Sequence, residues 1–366
     1  MIKVLHDFLL VKGGAERLVL TLSEGLQSPL ITGFVDPSLA DWAKGKAITA
    51  LGSPVNGLAL RYFQTAHRFS NIHEHELRAD TVVYSGVLSL FAATRQTTGR
   101  RIHYCHSPPR FLYDLQDYYL AQSGPLKRVG LQLVDAWLRP RYEAALQEMD
   151  IVVANSKNVA RRLKHYLSID ATVVYPPIDT KRFRWIEDGD YFLSLARLED
   201  YKRIDIIIEA FRQLPEMKLV IASGGNMELK FRKLAAECPN IAFTSWLDDH
   251  ALANLIGRAR AVIYIPIDED FGMSPVEAMA AGKPVIGVSE GGLLETVVAG
   301  ETGILLDPCL NPEILIDAVG SLSSKQCIEM REACEKQASC FSTEGFIQRM
   351  KAVIDSTSSY IDPAHH

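Results

Sequence analysis

Residues 261–288 read AVIYIPIDEDFGMSPVEAMAAGKPVIGV, with a polar loop and a helix start between two short apolar runs. Apolar runs that do not alternate with polar residues are typical of parallel strands that helices cover on both faces. We therefore predict strands at Ala261–Ile265 and Pro284–Val288, joined by a helix that has Ser274 as its N-cap. A strand, a helix and a second strand in this order predict an α/β domain with a parallel sheet.

The same alternation continues on both sides of this stretch, with helical spacing between the strands. The other predicted strands are Ile2–His6, Thr81–Tyr84, Arg101–Cys105, Ile151–Ala154, Thr172–Tyr175, Tyr191–Leu195, Lys218–Ala222, Ile241–Thr244 and Gly303–Leu306. Two prolines in YPPIDTKRF (Tyr175–Phe183) hold the chain extended, so neither a helix nor a central strand continues through this segment. We predict two Rossmann-like, doubly wound parallel-sheet domains, at residues 1–177 and 178–341.

Composition narrows the class of protein. The chain has 366 residues, 48% of them hydrophobic, and a net charge of −5. This length suits two domains, and the acidic balance argues against nucleic acid as a partner. The six cysteines form no C-x-x-C pair, which favours reduced thiols and a cytoplasmic location. The first residues read as a strand rather than a secretion signal, and we expect no membrane-spanning segment.

The loop and helix start inside the quoted stretch carry two glutamates, Glu269 and Glu277. Ser274, Pro275 and Glu277 fit the N-cap, N1 and N3 positions of a capping box, which would explain Glu277 alone. Glu269 is expected at the carboxyl edge of the sheet, where open α/β sheets bind ligands. A glycine before the helix lets backbone come close to a diphosphate. The free amides at the N-terminus of this helix would form a site for that diphosphate.

A second cluster, ARLEDYKR at residues 196–203, follows the first strand of the second half. Arg197 lies just past the predicted strand end, and Lys202 lies close to the start of the next helix. Two cations there would neutralise a diphosphate leaving group, because arginine binds such a group bidentately and lysine acts as a point charge. The alternative is a solvated charged loop, but the position at the ligand edge favours binding.

The first half contributes two weaker signals. Gly13-Gly14-Ala15-Glu16 forms a turn between the first strand and a predicted helix Arg17–Leu26. Glycines in such a turn allow backbone to approach a phosphate or a sugar. The full G-x-G-x-x-G fingerprint is absent, which argues against NAD or FAD. His106 ends a strand and precedes a Pro-Pro loop, so it points into the same crevice. A histidine at a strand end is either structural or catalytic, and the residues alone leave both readings open.

Together these motifs resemble the GT-B retaining glycosyltransferases of family four, which include bacterial mannosyltransferases of lipopolysaccharide and exopolysaccharide assembly. The similarity runs from GGAE (13–16) through ARLEDYKRID (196–205) and the two glutamates around FG to EGGLLETVVAGETGILL (290–306). Three further segments look most like the members that use GDP-mannose. They are YCHSPPRFLYD (104–114), ANS (154–156) and VVYPPIDTKRF (173–183).

The resemblance implies a fold and a role for each motif. In the GT-B fold two Rossmann-like domains face a central cleft, and a C-terminal helix, here within 342–366 and followed by a tail, crosses back to the first domain. Arg197 and Lys202 would bind the donor diphosphate, Glu269 the hydroxyls of the donor sugar and Glu277 the ribose. The sugar and the phosphate would be lined by the amides of Phe271, Gly272, Met273 and Ser274. His106 would contact the sugar from the other domain. Gly13, Gly14 and Glu16 would border the diphosphate and the acceptor.

The implied reaction transfers a sugar, with mannose from GDP-mannose favoured, and retains the anomeric configuration without a metal or other cofactor. A UDP-sugar donor is the alternative, as is a GT-B epimerase or hydrolase that needs no acceptor. A non-catalytic sugar-binding protein is disfavoured because Glu269, Arg197 and Lys202 are all present. Asp268-Glu269-Asp270 also matches the D-x-D metal signature of the other large glycosyltransferase fold. The two complete Rossmann halves and Glu277 favour the metal-free interpretation.

Contact with a membrane is a separate question. In the predicted helix Leu126–Leu138, one face carries Leu126, Val129, Leu133 and Trp137, and cations flank it at Lys127, Arg128, Arg139 and Arg141. An apolar stripe with flanking cations can lie on an anionic bilayer, which a lipid-linked glycan acceptor would require. The alternative is an ordinary helix that packs on its sheet. The family's usual acceptors favour peripheral association with the cytoplasmic face of the membrane.

Overall fold

The computed structural model describes residues 1–356, and of Leu58 and Ala59 it describes the backbone only. The tail predicted to follow the C-terminal helix lies outside the described residues. The chain divides into an N-terminal unit, Met1–Tyr175 with the segment from Phe346 on, and a C-terminal unit, Pro176–Gly345. The predicted α/β class with two parallel sheets is confirmed.

Seven parallel strands form the sheet of the N-terminal unit within the described residues. They are β1 (Ile2–His6), β2 (Leu30–Thr32), β3 (Ile48–Ala50), β4 (Thr81–Ser85), β5 (Arg100–Cys105), β6 (Ile151–Ala154) and β7 (Thr172–Val173). Their order in the sheet is β3-β2-β1-β4-β5-β6-β7. The sequence analysis missed β2 and β3 because strands of three residues are too short to show an apolar run.

Helices cover both faces of this sheet. They are α1 (Gly14–Gly25), α2 (Ala40–Ala43), α3 (Leu58–Ser70), α4 (Glu74–Leu77), α5 (Gln116–Ala121), α6 (Pro125–Gln147), α7 (Lys157–Leu167) and, from the end of the chain, α16 (Thr343–Asp355), with 3-10 helices at Pro37–Leu39 and Ser89–Arg95. Phe346, Met350 and Val353 share one face of α16 and are buried in the same core as Val4 and Leu18. This apolar face of the C-terminal helix is therefore part of the N-terminal unit's core.

Six parallel strands form the sheet of the C-terminal unit, again within residues 1–356. They are β8 (Tyr191–Ser194), β9 (Lys218–Ala222), β10 (Ile241–Thr244), β11 (Ala261–Tyr264), β12 (Val285–Val288) and β13 (Gly303–Leu306). The order is β10-β9-β8-β11-β12-β13. β11 and β12, from the stretch quoted first, are neighbours and are buried throughout.

The helices of the C-terminal unit follow its strands in alternation. They are α8 (Ile204–Arg212), α9 (Glu228–Leu234), α10 (Asp249–Gly257), α11 (Met273–Ala280), α12 (Leu293–Thr296), α13 (Pro312–Ser321), α14 (Ser324–Glu329) and α15 (Arg331–Ser339), with a 3-10 helix at Asp200–Lys202. No helix of the described part of the chain has the length and apolarity needed to cross a bilayer.

Strand order reverses once in each sheet, and this determines where ligands bind. In the N-terminal unit the chain runs outward from β1 to β3 and then returns to β4 beside β1. In the C-terminal unit it runs from β8 to β10 and returns to β11 beside β8. Open α/β sheets bind ligands outside the carboxyl ends of the strands at such a reversal. The loops after β8 and β11 are therefore the expected site in the C-terminal unit.

Candidate active site

Lys202 and Glu269 form an ion pair at the reversal point of the C-terminal sheet. Lys202 Nζ lies 2.5 Å from Glu269 Oε2 and 3.3 Å from Tyr264 Oη. The Tyr264 hydroxyl donates to the same carboxylate oxygen at 3.0 Å. Lys202 follows β8 and Glu269 follows β11, so the neighbouring strands bring together two residues that are 67 positions apart. The structure thus joins two of the predicted site residues and adds Tyr264.

The charge state of this cluster follows from its contacts. Lys202 is 7% exposed. Burial alone would lower the pKa of Lys202, but the Glu269 carboxylate and Tyr264 together raise it above its ordinary value. Burial, and then the charge of Glu269, raises the pKa of the Tyr264 hydroxyl. At neutral pH the cluster therefore holds an ammonium group, a neutral phenol and a carboxylate that accepts from both.

Two glycines hold the loop that carries Glu269. Gly292 N–H donates to the Glu269 carbonyl at 2.7 Å. Gly291 has φ +62°, and a Cβ there would lie 2.5 Å from the Glu269 carbonyl oxygen. A side chain at Gly291 would therefore be strained and would also displace the loop. The EGG segment at 290–292, quoted above only for its resemblance, has a direct structural role at the site.

Arg203 connects three segments around the cluster. Its guanidinium lies 2.8 Å from Glu290 Oε1 and donates to the carbonyls of Ile265 and Pro308 at 3.4 and 3.3 Å. The Ile267 N–H donates to the Tyr201 carbonyl at 2.8 Å. These bonds fix the loop after β8 against the loop after β11. The sequence analysis did not single out Arg203, although it belongs to the charged run at 196–203.

The capping box predicted for Ser274 and Glu277 is wrong. Helix α11 begins at Met273, and Gly272, with φ +88°, is its N-cap without a side-chain cap bond. Left-handed backbone at a glycine starts the helix two residues earlier than a serine cap would, which moves Glu277 into the second turn. Arg182 Nη2 lies 3.4 Å from Glu277 Oε1 instead. Glu269 and Glu277 therefore have separate partners.

The remaining donor-site residues of the C-terminal unit differ in exposure. The Arg197 side chain is exposed in the loop after β8. Phe271 is buried, and its ring packs edge-on against Phe341 at 5.2 Å between centroids. Phe271 can therefore offer a ligand only its backbone, whereas Met273 and Ser274 are half-buried in the first turn of α11.

The Gly13–Glu16 turn starts helix α1 earlier than predicted. The helix was expected to begin at Arg17, but it begins at Gly14, with Gly13 as the N-cap. Gly13 has φ −80° and ψ 177°, an extended conformation that any residue adopts. A Cβ at this position would lie 2.6 Å from Glu16 Oε2, so the glycine leaves room for the glutamate side chain. A carboxylate in the first turn also complements the helix dipole.

His106 follows β5 in the N-terminal unit and is half-buried. Its Nε2 lies 2.8 Å from Ser85 Oγ, at the end of β4. Burial, and then the nearby His6 and His103, lowers the pKa of His106 to about 3. His106 is therefore a neutral imidazole at physiological pH. Neither His6 nor Ser85 was singled out from the sequence, because each stands in an apolar strand without a local motif.

Family comparisons bear on both units. Residues 12–182 match the family described as Glycosyltransferase Family 4, and residues 177–340 match Glycosyl transferases group 1. The chain is a GT-B glycosyltransferase of family 4. Its two units are the two domains of this enzyme family, whose members transfer hexosyl groups.

Among curated proteins, this GT-B glycosyltransferase is similar to alpha-1,3/1,6-mannosyltransferase ALG2. It is 30% identical to the Saccharomyces cerevisiae protein over 270 residues, 58% of this chain and 51% of that protein. It is 25% identical to the Homo sapiens protein over 348 residues, 81% of each chain. The chain spans 51% to 66% of the length of the ALG2 proteins of Dictyostelium discoideum, Saccharomyces cerevisiae and Rhizomucor pusillus.

Among solved structures, the GT-B glycosyltransferase is similar in fold to Anabaena HepE in complex with UDP and glucose. The TM-score is 0.77 at 16% identity, over 97% of this chain and 99% of that one. WaaG, a glycosyltransferase involved in lipopolysaccharide biosynthesis, has a TM-score of 0.74 at 16% identity, over 97% of this chain and 100% of that one. At these identities the likeness is one of fold.

Proposed function

We propose that this chain transfers mannose from GDP-mannose, with retention of configuration, to a lipid-linked or polysaccharide acceptor in surface glycan assembly. The observation that carries the proposal is the cluster of Lys202, Glu269 and Tyr264 at the strand-order reversal of the C-terminal sheet. An ammonium group held beside a carboxylate at this edge suits a donor with a charged diphosphate and a hydroxylated sugar. The names of the ALG2 relatives favour mannose.

The donor diphosphate would lie between Lys202 and Arg197. An ammonium group has three hydrogen-bond donors. Two of those on Lys202 go to Glu269 and Tyr264, which leaves the third for a phosphate oxygen. Arg197 is exposed in the loop after the same strand, β8, and would close on the second phosphate as a bidentate donor. The first amides of α11, at Gly272, Met273 and Ser274, would complete the anion site.

Glu269 and Glu277 would divide the rest of the donor between them. Glu269 accepts from Lys202 through Oε2, and its carboxylate would also accept from sugar hydroxyls. Glu277, held by Arg182, would bind the ribose. Because the two glutamates have different cationic partners, each can orient a different part of the sugar nucleotide.

Charge stabilisation would drive the reaction. Departure of the nucleotide develops positive charge at the anomeric carbon and negative charge on the diphosphate. Fixed cations and amide dipoles at the diphosphate stabilise that charge separation most. Glu269 is held by Lys202 and Tyr264, so we assign it to sugar binding rather than to covalent attack. The acceptor oxygen would bond to the anomeric carbon on the face from which the diphosphate leaves, so the configuration is retained. The leaving phosphate oxygen would take the proton of the acceptor hydroxyl, and this step requires no metal.

The N-terminal unit would supply the sugar contact of His106 and the acceptor side. His106 follows β5 near the reversal point between β1 and β4, and its neutral ring can form a hydrogen bond without adding charge. Gly13, Gly14 and Glu16 would border the diphosphate and the acceptor at the start of α1.

Helix α6 supports contact with a membrane that carries the acceptor. Leu126, Val129 and Leu133 are 88%, 53% and 67% exposed, so the first half of the helix does not bury its apolar face. Trp137, predicted on the same face, instead packs against Phe63 at 4.6 Å between ring centroids. An exposed apolar stripe with nearby cations suits insertion at an anionic surface. We propose peripheral association with the cytoplasmic face of the membrane.

Nucleotide-dependent stabilisation tests the donor assignment. A ligand that binds only the folded state raises the melting temperature, so GDP should raise it and UDP should not. Stabilisation by UDP but not by GDP would favour the UDP-sugar alternative. Release of free sugar from the nucleotide without an acceptor would favour a hydrolase.

A further inference from the structure

Three polar side chains meet at the strand-order reversal of the N-terminal sheet. His6 is the last residue of β1, Ser85 is the last residue of β4, and His106 follows β5. His6 and Ser85 are buried, and the rings of His6 and His106 lie 6.0 Å apart, edge to face. This is the ligand edge of the N-terminal unit.

The first hydrogen bond fixes the protonation of His6. His6 Nδ1 lies 3.2 Å from the Ser85 carbonyl oxygen and 3.1 Å from Ser85 Oγ. A carbonyl oxygen only accepts hydrogen bonds, so His6 Nδ1 carries a hydrogen and donates it. Burial lowers the pKa of His6 to about 4, which keeps the ring neutral.

The second hydrogen bond fixes the tautomer of His106. Ser85 Oγ accepts from His6, and its own hydrogen is directed to His106 Nε2 at 2.8 Å. An acceptor Nε2 in a neutral ring places the single hydrogen on Nδ1. Within residues 1–356, Nδ1 of His106 makes no hydrogen bond, so it is available to a ligand.

The titratable residues around His106 also favour its neutral form. His103, which lies next to the same strand ends, donates from Nδ1 to the Tyr84 carbonyl at 3.1 Å, and burial lowers its pKa to about 4. Asp7, the residue after His6, is half-buried, and its carboxylate accepts the N–H groups of Val87, Leu88 and Ser89. Burial raises the pKa of Asp7 to about 6. An acid turned towards three amides does not supply a proton to His106.

We propose that His6 and Ser85 are positioning residues, which hold His106 as its neutral Nδ1–H tautomer so that it donates one hydrogen bond to a hydroxyl or ring oxygen of the sugar. This inference rests on the proposed function of His106 as a sugar contact. A neutral His106 ring would favour sugar transfer for an electrostatic reason. The sugar gains positive charge in the transition state, and an imidazolium beside it would raise the barrier, whereas a neutral donor does not.

Nitrogen-15 NMR of the histidine side chains tests the inference without any substrate. His106→Gln assigns the His106 signals. In the wild-type chain, His106 is expected to show a protonated Nδ1 and an unprotonated Nε2 from about pH 5 to 8, across the ordinary range of histidine titration. Ser85→Ala should mix the two tautomers of His106, whereas Ser85→Thr, which keeps the hydroxyl, should preserve the wild-type pattern.

Two outcomes would contradict the positioning of His106 by His6 and Ser85. They are a protonated His106 Nε2 in the wild-type chain, or a His106 spectrum that is unchanged in Ser85→Ala. Thermal unfolding of the Ala and Thr variants shows whether both fold. In transfer assays, kcat should fall about tenfold in Ser85→Ala, the loss expected for one neutral hydrogen bond, and recover in Ser85→Thr. If the spectra are as expected but kcat is undiminished in His106→Gln, the positioning of His106 by His6 and Ser85 is supported and the role of His106 in transfer is contradicted.

Discussion

Lys202 Nζ and Glu269 Oε2 lie 2.5 Å apart, in the loops that follow β8 and β11. In the described C-terminal sheet, strand order reverses between these two neighbouring strands. Their side chains are 8% and 15% exposed. An ion pair this deeply buried is costly to break from one side, because the remaining charge stays buried without its oppositely charged neighbour. Such a pair at the carboxyl edge of a sheet is expected to serve a ligand as well as the fold.

Lys202→Met should lower the free energy of unfolding by about 3 kcal/mol, since it removes the buried cation that forms an ion pair with the Glu269 carboxylate. The double variant Lys202→Met, Glu269→Gln should recover much of that loss, yet neither variant should bind nucleotide. Urea unfolding and calorimetric titration measure the two effects. The matched control is Lys218→Met. Lys218 pairs with Asp190, and because the two side chains are 63% and 67% exposed, this pair should contribute less than about 1 kcal/mol to the free energy of unfolding.

Gly291→Ala should displace the loop of Glu269 and weaken nucleotide binding. Its Cβ would meet the Glu269 backbone at 2.5 Å, and its φ of +62° also strains an L residue. Gly300→Ala is the control, because Gly300 has φ +81° but nothing within 4 Å of an added Cβ. Both variants should lose about 1 kcal/mol from the left-handed backbone. Equal nucleotide affinity in the two variants would argue against a role of the glycine pair in the site.

Stability should fall as the pH drops from about 6.5 to 4. Burial lowers the pKa values of His6 and His103 to about 4, so the unfolded chain binds protons that the folded chain does not. Each of these histidines would cost up to about 3 kcal/mol across that range, at about 1.4 kcal/mol per pKa unit. Asp7 has the opposite effect on the free energy of unfolding, because burial raises its pKa to about 6. One aspartate offsets only part of the loss that the two histidines cause.

Melting temperatures between pH 4.5 and 7 measure this effect. His103→Gln should flatten the dependence, since it removes one of the titrating groups. A melting temperature that stays constant over this range, or an equal slope in His103→Gln, would contradict the assignment of buried neutral histidines.

Leu133→Glu should reduce binding to anionic liposomes. The substitution places a charge on the exposed apolar stripe of α6, where Leu133 is 67% exposed. Leu229→Glu is the control, since Leu229 is 77% exposed on α9 of the other unit. Sedimentation with vesicles compares them. Failure of the wild-type chain to sediment, or equal binding of both variants, would remove the membrane proposal.

Much of the fold was predictable because most strands are continuous apolar runs. Strands such as β1, β6 and β9 were predicted with their observed bounds. The start of α11 was not, since Ser274 and Gly272 both suit a helix cap, and only the φ of +88° at Gly272 decides between them. Local sequence shows which residues can cap a helix but not which backbone conformation the neighbouring loops enforce.

The site was predictable as a set of residues but not as a set of contacts. Glu269, Lys202 and Arg197 stand out because they follow apolar runs at the ligand edge. The pairing of Lys202 with Glu269 joins residues 67 positions apart, and His6 and Ser85 are separated by 79. Such pairings depend on which strands are neighbours, and no local sequence pattern predicts the order of strands in a sheet.

Proton NMR of GDP-mannose, incubated with this chain, a membrane extract that contains lipid-linked glycans, and EDTA, tests most sharply whether the chain is a retaining mannosyltransferase that needs no metal. We expect an α-linked mannoside that appears together with GDP in the presence of EDTA, and no product from a Lys202→Met, Glu269→Gln chain. A β-linked product, free mannose without acceptor, or activity that EDTA abolishes would contradict it.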